Sequence, residues 1–266
     1  MSKPMIARVL TIAGSDSGGG AGIEADIKTI SALGGYGCTT ITGLTAQNTL
    51  GVKAVHPVPA DFVVLSMRAV LEDIGVDAIK LGMLTSEPII RAVAANLPAG
   101  VPLVLDPVMV STSGAALLPD GAIAALISDL IPKATLITPN LPEATKITGL
   151  PVETEAQRIE AGHRLLSMGA KAALIKGGHG TCANLTDLLV TPGGVVAITL
   201  PRIESRNTHG TGCTMSSAIA TGLAQGLGLE AAVRRARDYL QAAIATAPGI
   251  GAGHGPVNHL VWQSGG

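Results

Sequence analysis

The chain has 266 residues, 18 Lys and Arg against 19 Asp and Glu, a formal charge of -1 and only 14% charged side chains. That balance excludes a basic nucleic-acid face and a disordered charged tail, and the length suits one large α/β domain, which would bury roughly three quarters of its unfolded surface, or two small ones. One Trp, one Phe and two Tyr against 34 Gly leave a core of Ala, Val, Ile and Leu, with few rings to stack on a ligand.

Arg8–Ala13 is the first apolar run of strand length, and it leads through a glycine-rich stretch into a helical period over Ile23–Leu33. Cys38–Ala46 predicts a second strand, and Val52–Val58 is an extended run that could add a small flap over one end of the sheet. Further strands are expected at Ala78–Leu81, Leu103–Leu105, Thr135–Thr138 and Ala172–Ile175. Helical patterns lie at Phe62–Ile74, Pro88–Asn96, Gly121–Leu130, Ala156–Met168 and Thr214–Gln225. Several strands are apolar on consecutive residues, as a strand covered on both faces requires. The alternation therefore predicts βαβ units, a mostly parallel sheet and helices on both faces. Leu185–Val190 and Val195–Leu200 flank Thr191-Pro192-Gly193-Gly194 and read as a hairpin or edge addition. No linker, low-complexity block or repeat interrupts residues 1–266, so one domain is expected.

Three cysteines, Cys38, Cys182 and Cys213, are widely spaced and form no C-x-x-C pair. Neither a disulfide framework nor a zinc knuckle is suggested, and a reducing cytoplasm is the expected compartment. The first residues lack the pattern of a secretory leader. The longest uncharged helical stretch, Thr214–Leu229, falls short of the ~18–20 apolar residues of a bilayer span.

Ligands of an open parallel sheet bind beyond the carboxyl ends of its strands. After the first strand comes Gly14-Ser15-Asp16-Ser17-Gly18-Gly19-Gly20-Ala21-Gly22, which is longer than a strand-to-helix turn needs and reads as a ligand loop or a plain glycine-rich turn. It fits neither the dinucleotide fingerprint nor the Walker loop. Asn207-Thr208-His209-Gly210-Thr211-Gly212-Cys213-Thr214 precedes an uncharged helix. There the unpaired N–H groups and the helix dipole favour an anion, and a thiol is expected to ionise more readily. Asp106, after one strand, and Asn140-Leu141-Pro142-Glu143, after the next, could share a hydrated Mg²⁺ or simply cap helices. Lys176-Gly177-Gly178-His179-Gly180 closes another strand with a cation over glycines. Together these are parts of a phosphoryl-transfer site, where positioning and charge neutralisation supply most of the rate.

In that order, Leu10–Gly22, Asp26–Thr29, Ala46–Thr49, Lys80–Met83, Asp106–Met109, Thr138–Glu143, Lys176–His179, Asn207–Cys213 and Gly253–Pro256 resemble the bacterial hydroxymethylpyrimidine/phosphomethylpyrimidine kinases of the ribokinase-like superfamily. The resemblance covers nearly the whole chain. It implies a ribokinase-like fold with a small edge β flap, and two ATP-dependent phosphorylations of one pyrimidine in thiamine biosynthesis. It implies that Gly14, Asp26, Gln47 and Met83 line the pyrimidine pocket, with Val110 nearby. It puts Asn140, Lys176 and Thr208 at the nucleotide phosphates, Asp106 and Glu143 near Mg²⁺, and Gly210, Thr211, Gly212 and Cys213 around the transferring phosphoryl group. Cys213 thiolate would act as general base, and His209 would either shape its loop or transfer a proton. A homodimer is the expected assembly.

Some relatives with the same cysteine motif phosphorylate pyridoxal-type vitamers as well as the pyrimidine, so a pyridoxal or dual-specificity kinase is the alternative within the fold. Outside that class stand a serine hydrolase using Ser17, which lacks a coherent triad order, and a non-catalytic pyrimidine-binding protein, which would have no use for the phosphate residues.

Overall fold

The computed structural model describes residues 6–110, 114, 117–178 and 183–262. Cys182, and His179 and Gly180 of the Lys176–Gly180 run, lie outside the described residues. Among the described residues nine strands form one sheet: β1 (Arg8–Asp16), β2 (Tyr36–Asn48), β3 (Gly51–Pro57), β4 (Ala78–Leu81), β5 (Leu103–Leu105), β6 (Leu136–Ile137), β7 (Ala173–Ile175), β8 (Asn184–Thr191) and β9 (Gly194–Pro201). Their order is β3-β2-β1-β4-β5-β6-β7-β8-β9. The middle from β2 to β7 is parallel, whereas β3 at one side and β8 and β9 at the other are antiparallel additions. The flap and the hairpin thus extend the sheet at its two sides.

The helices are α1 (Gly22–Ala32), α2 (Ala60–Ala69), α3 (Glu87–Asn96), α4 (Asp120–Ala125), α5 (Leu141–Thr148), α6 (Glu155–Ser167), α7 (Thr211–Ala224) and α8 (Leu229–Ala245). Wider π turns prolong α2 over Val70–Ile74 and α4 over Leu126–Leu130, so each predicted helix is there but changes its winding midway. Two helices go beyond the sequence expectation. α5 is opened by a capping box between Asn140 and Glu143 and closed by Gly149 with φ +71°. α8 buries Ala232, Val233, Ala236, Tyr239, Leu240 and Ala243, one stripe of period 3.6.

Side-chain alternation along the strands builds two core layers. On one face, Leu10, Ile12, Ile79, Leu81, Leu103 and Leu105 meet α2, α3, α4 and α6. On the other, Val9, Val104, Leu136 and Leu174 meet α1, α7 and α8. Thr11 of β1 lies opposite Lys80 of β4 in register, and both are fully buried. The chain steps from β1 to β2 on one side and returns to β4 on the other, which makes the β1/β4 border a topological switch point where a crevice opens.

Candidate active site

The strand ends beyond this border surround a cavity of about 580 Å³. Gly14, Gln47, Met83, Asp106, Val110, Asn140, Glu143, Lys176, Thr208, Gly210, Thr211, Gly212 and Cys213 all line it. Asp26, alone among the predicted site residues, does not.

The glycine-rich loop is organised by Asp16, a residue the sequence reading passed over. Its Oδ1 accepts from Gly18 N, and its Oδ2 accepts from Gly20 N, Ala21 N and His209 Nε2 at 2.8–3.0 Å. Burial pushes the Asp16 carboxyl up, but hydrogen bonds from His209, Gln47 and Gly18 outweigh it and hold the group at about 2. Glu24 adds a second clamp by accepting from Ser15 Oγ and Asp16 N. At the pocket wall the Met83 side chain occupies the space above Gly14, where a Cβ would come within 2.1 Å of Met83 Cε. Gln47 is tied to the loop by reciprocal bonds between Ser17 Oγ and its backbone. His209, whose role the sequence left open, joins this loop to the one before α7.

That second loop reaches α7 through Gly210, whose φ of +80° favours glycine and whose Cβ, if present, would lie 1.8 Å from Gly20 O. Two residues on, a Cβ at Gly212 would meet Asp106 Oδ2 at 3.3 Å and Lys176 Nζ at 3.4 Å. The start of α7 therefore faces an acid and a cation across a gap that any side chain would fill. Lys176 Nζ and Thr138 Oγ1 donate to Asp106 Oδ1 at 2.9 and 3.1 Å. Burial opposes the Lys176 charge, yet Asp106 and Glu143 raise its pKa. Glu143 is pushed by burial to about 7, with Lys176 pulling down and Asp106 adding to the rise. Its Oε2 accepts from Asn140 N at 2.8 Å, and Asn140 Oδ1 accepts from Glu143 N at 2.9 Å. Glu143 thus belongs both to the helix cap and to the acid pair that the sequence offered as alternatives.

Two expectations are corrected. Asp26 does not offer its carboxylate to a ligand: Oδ1 accepts from Lys80 Nζ and Ser217 Oγ, and Oδ2 from Lys80 Nζ and Thr11 Oγ1. Each oxygen already has two donors, and the residue is fully buried. Cys213 is not an activated thiol. Burial pushes it up to about 11; Lys80 and the Gly22 N–H favour the thiolate, whereas Asp26 and Asp106 oppose it. Helix position alone suggested the opposite sign, because the enclosing chains and the two acids come from elsewhere in the sequence.

The far wall carries residues the sequence reading missed. Arg237, Leu240, Gln241 and Ile244 of α8 line the cavity, and the periodicity of α8 was the signal that would have found them. Arg237 Nε sits 3.2 Å from Asp187 Oδ2, and Asp187 Oδ1 accepts from Gly177 N at 2.7 Å.

Comparison with known proteins identifies relatives over nearly the whole chain. A family model described as phosphomethylpyrimidine kinase matches residues 16–258. The hydroxymethylpyrimidine/phosphomethylpyrimidine kinase of Rhizobium meliloti is 51% identical over 260 residues, covering 96% of this chain and 98% of that one. The thiamine biosynthesis bifunctional protein ThiED of Geobacter sulfurreducens is 50% identical over 255 residues and 95% of this chain, which spans about half (52%) of that longer protein. Among solved structures, an ADP complex of Bacillus subtilis pyridoxal kinase superposes with a TM-score of 0.90 at 33% identity, covering 97% of this chain and 99% of that one.

Proposed function

The chain belongs to the phosphomethylpyrimidine kinase family, and on that premise we propose that it uses ATP to phosphorylate 4-amino-5-hydroxymethyl-2-methylpyrimidine and then its monophosphate, in thiamine biosynthesis. The observation that carries the reading is one cavity with a glycine-walled, Met83-faced end and an end where α7, Lys176, Asp106 and Glu143 converge. At the first end Gly14, Met83 and Val110 give the pyrimidine ring an apolar seat, and Gln47 offers both a donor and an acceptor to its polar edge. At the second, Asn140, Lys176 and Thr208 hold the phosphates, and the backbone of Gly210, Thr211 and Gly212 meets the charge on the transferring group.

Among the described residues no three His, Cys, Asp or Glu side chains are grouped to cage a metal. Two buried carboxylates beside a lysine nevertheless suit Mg²⁺, which is held by one or two acids plus substrate phosphates and water. Asp106 and Glu143 would hold it, and a divalent charge there favours the ionised form of Glu143. When bound, the ion neutralises charge on the phosphates. Cys213 is the proposed acceptor of the substrate hydroxyl proton. Its thiol must first ionise, an equilibrium that the Lys80 charge favours and that rising pH populates.

The test is ADP release with MgATP and, in turn, the pyrimidine alcohol, its monophosphate and pyridoxal. Turnover of both pyrimidines with a higher kcat/KM than pyridoxal is the expected result. The superposition on a pyridoxal kinase supports the second reading, a pyridoxal or dual-specificity kinase, and a preference for pyridoxal would establish it.

The same proposal includes one domain, supported by the single sheet that runs through the described residues. It includes a cytoplasmic setting, to which the free Cys38 and Cys213 are suited; among the described residues no helix is long and apolar enough to cross a membrane. It also includes a homodimer, supported by the exposed Leu44, Leu50, Val55, Phe62 and Leu65 on and beside the β3 flap.

A further inference from the structure

Beneath the cavity the second core layer contains a polar island. Thr11, Asp26, Lys80 and Ser217 are all fully buried, and they come from β1, α1, β4 and α7. Lys80 Nζ lies 2.9 and 2.8 Å from the two Asp26 oxygens, and Ser217 Oγ donates to Asp26 Oδ1 at 2.6 Å. Thr11 Oγ1 completes the set on Oδ2. The strand positions around them on this face are apolar, namely Val9, Val104, Leu136 and Leu174. An ion pair is an expensive way to fill such a layer, because desolvation offsets most of its attraction and apolar residues of similar volume pack as well. Its place in the fold gives it a use. Ser217 is one helical turn after Cys213 on the same face of α7, so the bond to Asp26 ties α7 just below its first turn to α1 and, through Lys80 and Thr11, to the sheet. Lys80 Nζ also lies close to Gly82, where a Cβ would be 2.8 Å from it, and Gly82 directly precedes Met83 of the cavity wall.

We infer that Asp26 and Lys80 form a positioning unit, in which a carboxylate balanced by a buried ammonium pins α7 through Ser217 and thereby sets the place of Gly210–Cys213 relative to the Met83 wall. Neither residue touches the cavity, so both act through others. The inference rests on the reading of Gly210–Cys213 as the transfer site. It accounts for the direction of the bonds: the one helix that carries that segment is the one the island reaches out to hold. The Lys80 charge also favours the Cys213 thiolate.

Two variants test it in the full-length protein. Asp26→Leu combined with Lys80→Met removes both charges together and leaves no orphaned ion. Ser217→Ala cuts only the tie to α7. Each is assayed for kcat and both KM values with MgATP and the pyrimidine alcohol, for melting temperature, and for the rate of Cys213 alkylation by iodoacetamide, followed on its own peptide. The expected result is a kcat loss of about tenfold to a hundredfold, the scale of an ångström's misplacement. Both KM values should stay within about threefold, as for an interaction felt only in the transition state, and the Cys213 alkylation rate should change. A folded double variant with wild-type kcat and alkylation rate overturns the inference. If the double variant does not fold, Ser217→Ala decides alone: an unaltered kcat and alkylation rate at an unaltered melting temperature overturns it. If neither pyrimidine is turned over by the wild type, the functional reading fails. The alkylation rates then judge the pin by themselves, with an altered Cys213 rate supporting it and an unaltered one overturning it.

Discussion

Single residues set the pH behaviour of this protein. Burial, with Lys28 and His209 adding to it, lowers His259 from 6.5 to about 4, so the folded state holds it neutral where the unfolded chain would protonate it. The stability it contributes is full above pH 6.5 and is lost as pH falls through that value towards 4. Urea titrations should show a loss of about 2 kcal/mol between pH 7 and pH 5 that His259→Asn abolishes. Asp16, held at about 2, behaves likewise at lower pH: its contribution is full above its ordinary 3.8 and disappears as pH falls towards 2. At the site, a Cys213 thiol near 11 predicts a kcat/KM that climbs from pH 7 to 9. In Cys213→Ala that climb should vanish, with kcat lower by about a hundredfold. Near-normal turnover with an unchanged profile would remove Cys213 from the proton transfer.

Elements repeat the lesson that loops here are fitted to one another. Gly210 and Gly20 approach so closely that a methyl group at 210 would lie 1.8 Å from the Gly20 carbonyl, at a φ of +80°. Gly210→Ala should therefore displace the start of α7, lowering kcat by at least about a hundredfold, with a melting temperature reduced by several degrees as the strained φ and the clash destabilise the fold. Steady-state kinetics and calorimetry check both. The buried parallel strands were legible in the sequence because consecutive apolar residues such as Leu103–Leu105 and Ala172–Ile175 have no other economical use. α8 was equally legible in principle, since its stripe from Ala232 to Ala243 has a clean helical period. The site was legible as a set of motifs at strand ends. What the sequence could not give was partnership: Asp26 looked like a ligand residue until Lys80, 54 positions away, proved to occupy both of its oxygens. The sign of the Cys213 shift failed for the same reason, because burial is a property of the assembled chain.

For the whole molecule, the sheet that runs through the described residues ends at two antiparallel sides, and these differ in what they expose. The β3 side has exposed Leu44, Val55, Phe62 and Leu65 around it, and this is the edge that the proposed homodimer would cover. Light scattering should find a dimer, and Leu44→Glu combined with Val55→Glu should convert it to a monomer; a monomeric wild type would reject the assembly. At the other side β9 ends at Pro201, a residue that cannot extend a ladder.

The scarcity of aromatic residues leaves one indole in the chain. Trp262 stands edge-on to Tyr239 of α8 with ring centroids 5.2 Å apart and an interplanar angle of 73°. It closes the segment in which Pro256 bridges to His209 and the His259 carbonyl accepts from the Tyr239 hydroxyl. Fluorescence excited selectively from that single indole therefore reports, without any label, whether the carboxy-terminal strap is seated against the loop that leads into α7. Emission followed during ligand titration is a built-in optical gauge of that seating.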